Sequence, residues 1–276
     1  MGNPLKCRCC PQNRARYPHA FPCSVAITCV LVCPADLRAA HPLITEDTGT
    51  QGQGHFQLEL TSERGYRRQG DTKETGIATT ATLSYGIVES VDAIVSVPHL
   101  RNKTVGPSGS ITEAGHADTG FDVKWRFHQS DRLSLALKTG FTTPNGDETQ
   151  GLGAGKMGYS VYLVATLDPP PWTFNLHVGR IENRNTLGDR EELWHASVGG
   201  WRQLGDKIKV VFDVGAITNA DPTVAGELGF FIVGLIYAFT DNFELDLGIQ
   251  DGRHRCRAGP TNLSNPMKWN PCLIGT

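Results

Sequence analysis

The chain has 276 residues and a net charge of -2, with a mean hydropathy of -0.26. The absence of a basic excess excludes a nucleic-acid-binding surface, and a hydrophobic content of 39% excludes a bundle of membrane helices. A membrane β-barrel survives both exclusions, because only alternate residues of its strands face lipid.

Lys6, Arg8, Arg14 and Arg16 open the chain, and no acid precedes Asp36. The apolar run Phe21–Cys33 is about 13 residues long, the size of a signal-peptide core. A spanning helix needs about 20. Residues 1–40 are therefore expected to be a signal peptide cleaved after Ala40, and 41–53 an N-terminal periplasmic segment. Cleavage would remove Cys7, Cys9, Cys10, Cys23, Cys29 and Cys33, leaving Cys256 and Cys272. No His or Cys follows the early cluster at a metal-ligand spacing, so neither a metal nor a cofactor is expected.

From His55 the pattern has period two, which puts one residue set on each face of a sheet. Phe56, Leu58 and Leu60 alternate with Gln57 and Glu59, and Ile77 to Tyr85 and Val91 to Val97 follow the same rule. So do Phe121 to Phe127, Leu133 to Leu137, Trp172 to Val178, Ile208 to Val214 and Phe243 to Ile249. Tyr159–Leu167 and Leu193–Gln203 alternate loosely, and Leu228–Phe239 is apolar on both faces. About eleven strands are readable, near the ten-residue length of outer-membrane strands.

Short connections at Val88–Ser90, His128–Asp131, Asp168–Pro171, Leu204–Asp206 and Asp241–Asn242 interleave with long ones. The long ones are expected at Thr61–Glu74, Arg101–Ala117, Pro144–Lys156, Ile181–Glu192 and Ile217–Gly226. Outer-membrane barrels combine short periplasmic turns with long extracellular loops. A soluble sandwich, the competing all-β reading, has no reason to alternate so regularly. Trp125, Phe127, Phe141, Tyr159, Trp172, Trp194, Trp201, Tyr237, Phe239 and Phe243 sit at or near strand ends, where interfacial girdles belong.

Two motifs resemble catalytic or nucleotide sites. Gly151–Lys156 is glycine-rich, but a phosphate cradle needs a following helix, and Gly158–Leu167 reads as a strand. His195 and Ser197 share a strand face with Asp189 nearby in sequence, yet nothing in the pattern assembles a triad. No enzyme activity is expected.

The polar positions of the alternating strands are the informative set. Glu59, Asp122, Lys124, Arg126, Lys138, His177, Lys209, Asp213, Glu244 and Asp246 are candidates to line the lumen, since a Lys or Arg facing mid-bilayer costs about 2–4 kcal/mol. Both signs occur, so pairing across a narrow, partly filled interior is expected.

Several segments together resemble the family named for the meta-pathway of phenol degradation. They are His41–Gly52, Val123–Phe127, Pro144–Glu148 with Gly151–Gly153, Leu193–Ser197, and Gly234–Tyr237 through Asp246. The resemblance covers about residues 41 to 250 and implies an outer-membrane transporter barrel; it supplies no catalytic residues. After Gln250 the alternation stops, and Pro260, Pro266 and Pro271 each remove a ladder donor. The tail 251–276 is therefore expected not to be a native strand, and a reading-frame shift near codon 251 would explain it.

The expectation is thus an all-β, antiparallel transmembrane β-barrel over 54–250, of about 12 strands, in the bacterial outer membrane. Its expected function is a channel for small apolar or aromatic solutes, with outer-membrane lipid and the barrel-assembly machinery as partners. A non-transporting adhesion barrel and a secreted binding sandwich are the alternatives.

Overall fold

The computed structural model describes residues 23–32, 42–224 and 226–254. Every strand pairing is antiparallel. The chain forms β1 (Cys23–Val32), β2 (Phe56–Gln69), β3 (Thr72–Val88), β4 (Val91–Gly106), β5 (Gly109–His116), β6 (Thr119–Gln129) and β7 (Leu133–Thr143). It continues with β8 (Gly158–Leu167), β9 (Trp172–Glu182), β10 (Glu192–Leu204), β11 (Ile208–Thr218), β12 (Glu227–Thr240) and β13 (Phe243–His254).

These make one 13-stranded sheet closed by a β3–β4 pairing. β4 is long enough to take two partners on one edge. Val91–Ser96 pair with β6, and His99–Gly106 pair with β5. β5 pairs with β4 alone, so twelve strands form the ring. Closure gives every ring strand a partner on both sides, which a sheet in lipid requires; β5 is paired on one edge only.

The run Phe21–Cys33, read above as a leader core, supplies β1. This strand lies between β2 and β13. Its place follows from parity. Eleven ring strands run from β2 to β13, so those two point the same way and cannot pair antiparallel. A strand of opposite direction must separate them. Residues 1–22 and 33–40 of the expected leader, and His41 after it, lie outside the described residues. At the other end β13 continues four residues past Gln250, with Asp251 opposite Phe231 and His254 opposite Leu228. The remainder of the tail, where a frame shift was expected, also lies outside the described residues.

Two expected loops are strands. Thr61–Glu74 is the upper part of the β2–β3 hairpin, turned at Gly70–Asp71, and Arg101–Ala117 is largely the β4–β5 hairpin. Both faces of these stretches carry polar residues, so the period-two signal fades although the ladder continues. The other long connections, 144–157, 183–191 and 219–226, stand at the same end of the ring. The short turns stand at the opposite end. Register shifts at Gly86/Val88, Arg126/His128 and Ala238/Thr240 all lie at that short-turn rim, where bulges bend a strand away from its ladder.

Alternation is expressed as burial. On β13, Leu245, Leu247 and Ile249 are exposed, while Glu244 and Asp246 are buried. On β8, Val161 and Leu163 are exposed, while Tyr162 and Val164 are buried. The ring is therefore apolar outside and mixed inside. Phe121 and Phe141, register partners on the outer face, stack at 5.4 Å. Trp201 departs from the expected girdle. It shares parity with Ser197, turns inward, and packs against Leu43, Val211 and Ile236.

Candidate functional site: the barrel interior and its plug

Residues 42–52, most of the 41–53 segment expected to be periplasmic, cross the interior before β2 begins. At the entry Pro42 rests over two glycines. A Cβ on Gly248 would lie 2.7 Å from Pro42 Cγ, and one on Gly234 would lie 2.8 Å from the same atom. A Cβ on Gly199 would come within 3.0 Å of Thr45 and 3.2 Å of Leu43. These three inward glycines make the space the segment occupies.

Asp213 fastens the next turn. One carboxylate oxygen accepts from the Ile44 and Thr45 amides, each at 2.7 Å, and the other accepts from the Thr45 hydroxyl at 2.6 Å. Thr45 Oγ1 also lies 2.7 Å from Ser197 Oγ, which lies 2.9 Å from His195 Nε2.

Glu46 makes the strongest tie. Lys124 Nζ donates to its Oε1 at 3.0 Å and Lys138 Nζ to its Oε2 at 2.8 Å. Lys124 and Lys138 are direct register partners on β6 and β7. Like charges so placed repel, and both are buried; Glu46 answers both lysines, and Asp47 adds a second carboxylate 3.9 Å from Lys124. Burial on its own would raise the Glu46 carboxyl, but the two lysines hold it well below the usual carboxylate range.

Farther on, the Thr48 amide donates to Thr166 Oγ1 at 3.1 Å. The Gln51 amide donates to both oxygens of Asp92, at 3.1 and 3.0 Å. The segment thus runs from β11 across to β4 and plugs the half of the barrel near the short turns. At the opposite mouth the 144–157 loop folds over the rim. Asp118 accepts from the Gly146 and Ala154 amides at 2.8 and 2.7 Å, and Leu152 packs against Leu100 and Ala117. Glu148–Gln150 form one 3-10 turn there, and β8 follows directly, so the Gly151–Lys156 motif does not open a helix.

The inner wall has two characters. Most of it is polar. Along β11 and β12, however, Val211, Ile217, Phe230, Ile232 and Ile236 turn inward and are buried. The doubly apolar sequence of β12 is expressed in this way: Phe231, Val233, Leu235 and Tyr237 face out, and the alternate residues face in. Pro42 and Leu43 are the parts of the plug that lie against this apolar side.

No family model matches the chain, and no curated protein matches it. Among solved structures it is similar to the COG4313 outer membrane channel from Pseudomonas putida F1. The TM-score is 0.52 and the identity 13%, over 89% of this chain and 100% of that one. This chain has that channel's fold. Looser likenesses, to a Pseudomonas aeruginosa FadL homologue (TM-score 0.42, 10% identity, 85% and 90% covered) and to the Pseudomonas putida toluene transporter TodX (TM-score 0.43, 8% identity, 85% and 89% covered), carry no weight.

All ten inward candidates lie on the inner side of their strands. Glu59, Lys124, Lys138, His177, Asp213, Glu244 and Asp246 are buried, and Asp122, Arg126 and Lys209 are half-buried. The structure gathers Lys124, Lys138 and Asp213 around the plug. Lys209 pairs with Glu244 at 3.1 Å, one intervening strand away along the same wall. Arg126 instead reaches the Glu89 carbonyl at 3.1 Å, and Thr61 donates to Glu59 at 2.9 Å. Asp122 lies against Gly140, and the His177 ring lies tilted against that of His195, 4.8 Å between centroids. The sequence reading missed Glu46, Thr45 and Asp92. The signal for an anion was the pair of unbalanced lysines on adjacent strands.

A hydrolytic triad does not form. His195 Nδ1, where the third member would bind, has no hydrogen-bond partner. Asp213 is engaged by the plug, and Asp189 lies in the 183–191 loop.

Proposed function

We propose that the chain is an outer-membrane channel for small apolar or aromatic solutes, gated by its own N-terminal segment. The buried apolar stripe Val211–Ile217–Phe230–Ile232–Ile236 carries this reading. A pore for ions or sugars gains nothing from burying five apolar side chains on its inner wall, whereas an apolar solute loses water contact along such a stripe. The exposed apolar band outside fits a lipid environment, since soluble monomers rarely expose large contiguous apolar patches. The fold shared with an outer membrane channel supports the same location.

The plug divides unequally between the two walls. Against the polar wall it holds hydrogen bonds and ion pairs; against the apolar stripe it offers Pro42 and Leu43. A solute that competes for the stripe displaces those two residues first. The motifs at His41–Gly52, Val123–Phe127 and Leu193–Ser197 support membership of the phenol meta-pathway family, and insertion by the barrel-assembly machinery follows from the same location. A strain lacking the gene should grow more slowly on a limiting aromatic carbon source and recover when the gene is restored, while growth on a sugar stays unchanged. Equal growth on both, or a chain recovered in the soluble fraction, would contradict the proposal.

A further inference from the structure

Above the apolar band, β2 to β5 continue as two paired hairpins, and the pleat sorts their charges. Directly paired residues project to the same face of a sheet. Leu60, Leu83 and Val97 are exposed on the outer face. Counting by twos from Leu60 gives Arg64 and Arg68 on that face. Their register partners continue it. Arg68 stands opposite Lys73, and Arg64 opposite Ile77, which pairs with Arg101. Thr75, the partner of Tyr66, pairs with Lys103. Five cations, Arg64, Arg68, Lys73, Arg101 and Lys103, thus share the outer face, and all five are exposed. The acids Glu63, Glu74 and Glu113 fall on the inner face, and Asp71 lies in the turn.

None of the five has a carboxylate within ion-pair distance among the described residues. The far side of the same rim is different. There Arg180 pairs with Glu192 and Arg184 with Glu182, both at 2.6 Å. The five cations of this sector thus share a face with no acid, whereas Arg180 and Arg184 each stand beside a carboxylate. The sector begins four residues above Leu60, about 13 Å along the strand, which is headgroup level for a barrel whose apolar band sits in the bilayer.

We propose that the outer face of the β2–β5 hairpins is a docking surface for the phosphorylated glycolipid of the outer leaflet, lipopolysaccharide, with Arg64, Arg68, Lys73, Arg101 and Lys103 contacting its phosphates. The inference rests on the outer-membrane reading. Guanidinium groups bind phosphate oxygens in a bidentate fork, and basic groups at an anionic surface add their attractions. Tyr66, among the cations and exposed, offers an amphipathic ring at the same depth.

The test uses the full-length chain extracted from outer membranes. Binding of deep-rough lipopolysaccharide is measured by native mass spectrometry, alongside the same lipid with its phosphates removed by a phosphatase. Intact lipid should bind at least about tenfold more tightly than dephosphorylated lipid. The variants R64Q/R68Q and R101Q/K103Q should each weaken binding of the intact lipid by about tenfold or more, while R180Q/R184Q should not. Heat-modifiable migration of each variant shows that the barrel is intact. Equal binding by the basic-face variants and the parent, or no preference for the phosphorylated lipid, would overturn the proposal. Since a folded, membrane-inserted barrel lacking this preference would still leave the channel reading standing, the two can fail separately.

Discussion

Lys138 Nζ lies 2.8 Å from Glu46 Oε2, so a residue of the plug neutralises a lysine that the barrel wall has buried. Breaking a buried ion pair from one side leaves an uncompensated charge and costs about 3–5 kcal/mol. Here the loss falls on both lysines, although Lys124 keeps Asp47 at 3.9 Å. The variant E46Q should therefore free the plug, raise single-channel conductance in planar bilayers and lower the unfolding temperature. Conductance equal to that of the parent would show that Glu46 does not hold the plug.

The same contact sets a pH dependence. A carboxyl held low in the folded state contributes stability that is fully present above its unfolded pKa. That stability is lost only as pH falls through the lowered value. Because Lys124 and Lys138 outweigh the burial that would raise Glu46, conductance should not change between pH 7 and pH 5. Opening within that interval would contradict the assignment.

Gly248 offers a way to disturb the plug without touching a charge. An added Cβ would meet Pro42 Cγ at 2.7 Å and Cβ at 2.9 Å, with Ile232 next at 3.4 Å. The variant G248A should displace the plug entry, increasing solute flux while the barrel keeps its heat-modifiable migration. Unchanged flux would mean that Pro42 does not obstruct the path.

Adjacent residues of β13 test which face meets lipid. Leu247 is 51% exposed and Asp246 is 2% exposed. The variant L247R should lose about 2–4 kcal/mol of membrane stability, measured by urea unfolding in vesicles, and L247A should lose far less. Comparable losses would mean that Leu247 does not face hydrocarbon.

Strand β1 has a test of its own, because a leader removed after Ala40 would take it away. Cys29 and Leu245 are register partners, so oxidation of an L245C variant in membranes should link them. The link should hold together the fragments of a chain cut at a protease site placed between 33 and 41. A mature N-terminus at His41, with no link, would return this segment to the leader role and leave the seam between β2 and β13 to another strand.

The ring was legible wherever one strand face meets the apolar exterior. Phe121 to Phe127 and Phe243 to Ile249 alternate because exterior and interior demand opposite residues. Legibility ended where that contrast ends. Thr61–Glu74 is polar on both faces, so its ladder read as a loop. The plug has no period, and its contacts reach far along the chain: Thr45 meets Asp213 and Glu46 meets Lys138. Only the charge imbalance at Lys124 and Lys138 pointed to it. Trp201 was misplaced because proximity to a strand end was weighed above its parity with Ser197. The leader-like run was ambiguous by composition, since an apolar signal core and a lipid-facing strand draw on the same residues.

Solute selectivity in liposomes tests the channel most directly. Purified full-length protein is reconstituted, and entry of phenol and of a neutral sugar is measured against protein-free vesicles. An inner wall with five apolar side chains along β11 and β12 predicts phenol entry above the protein-free background and no sugar entry, with G248A raising the phenol rate. Sugar passing as readily as phenol, or exclusion of both by the parent and by G248A alike, would contradict a channel for apolar solutes.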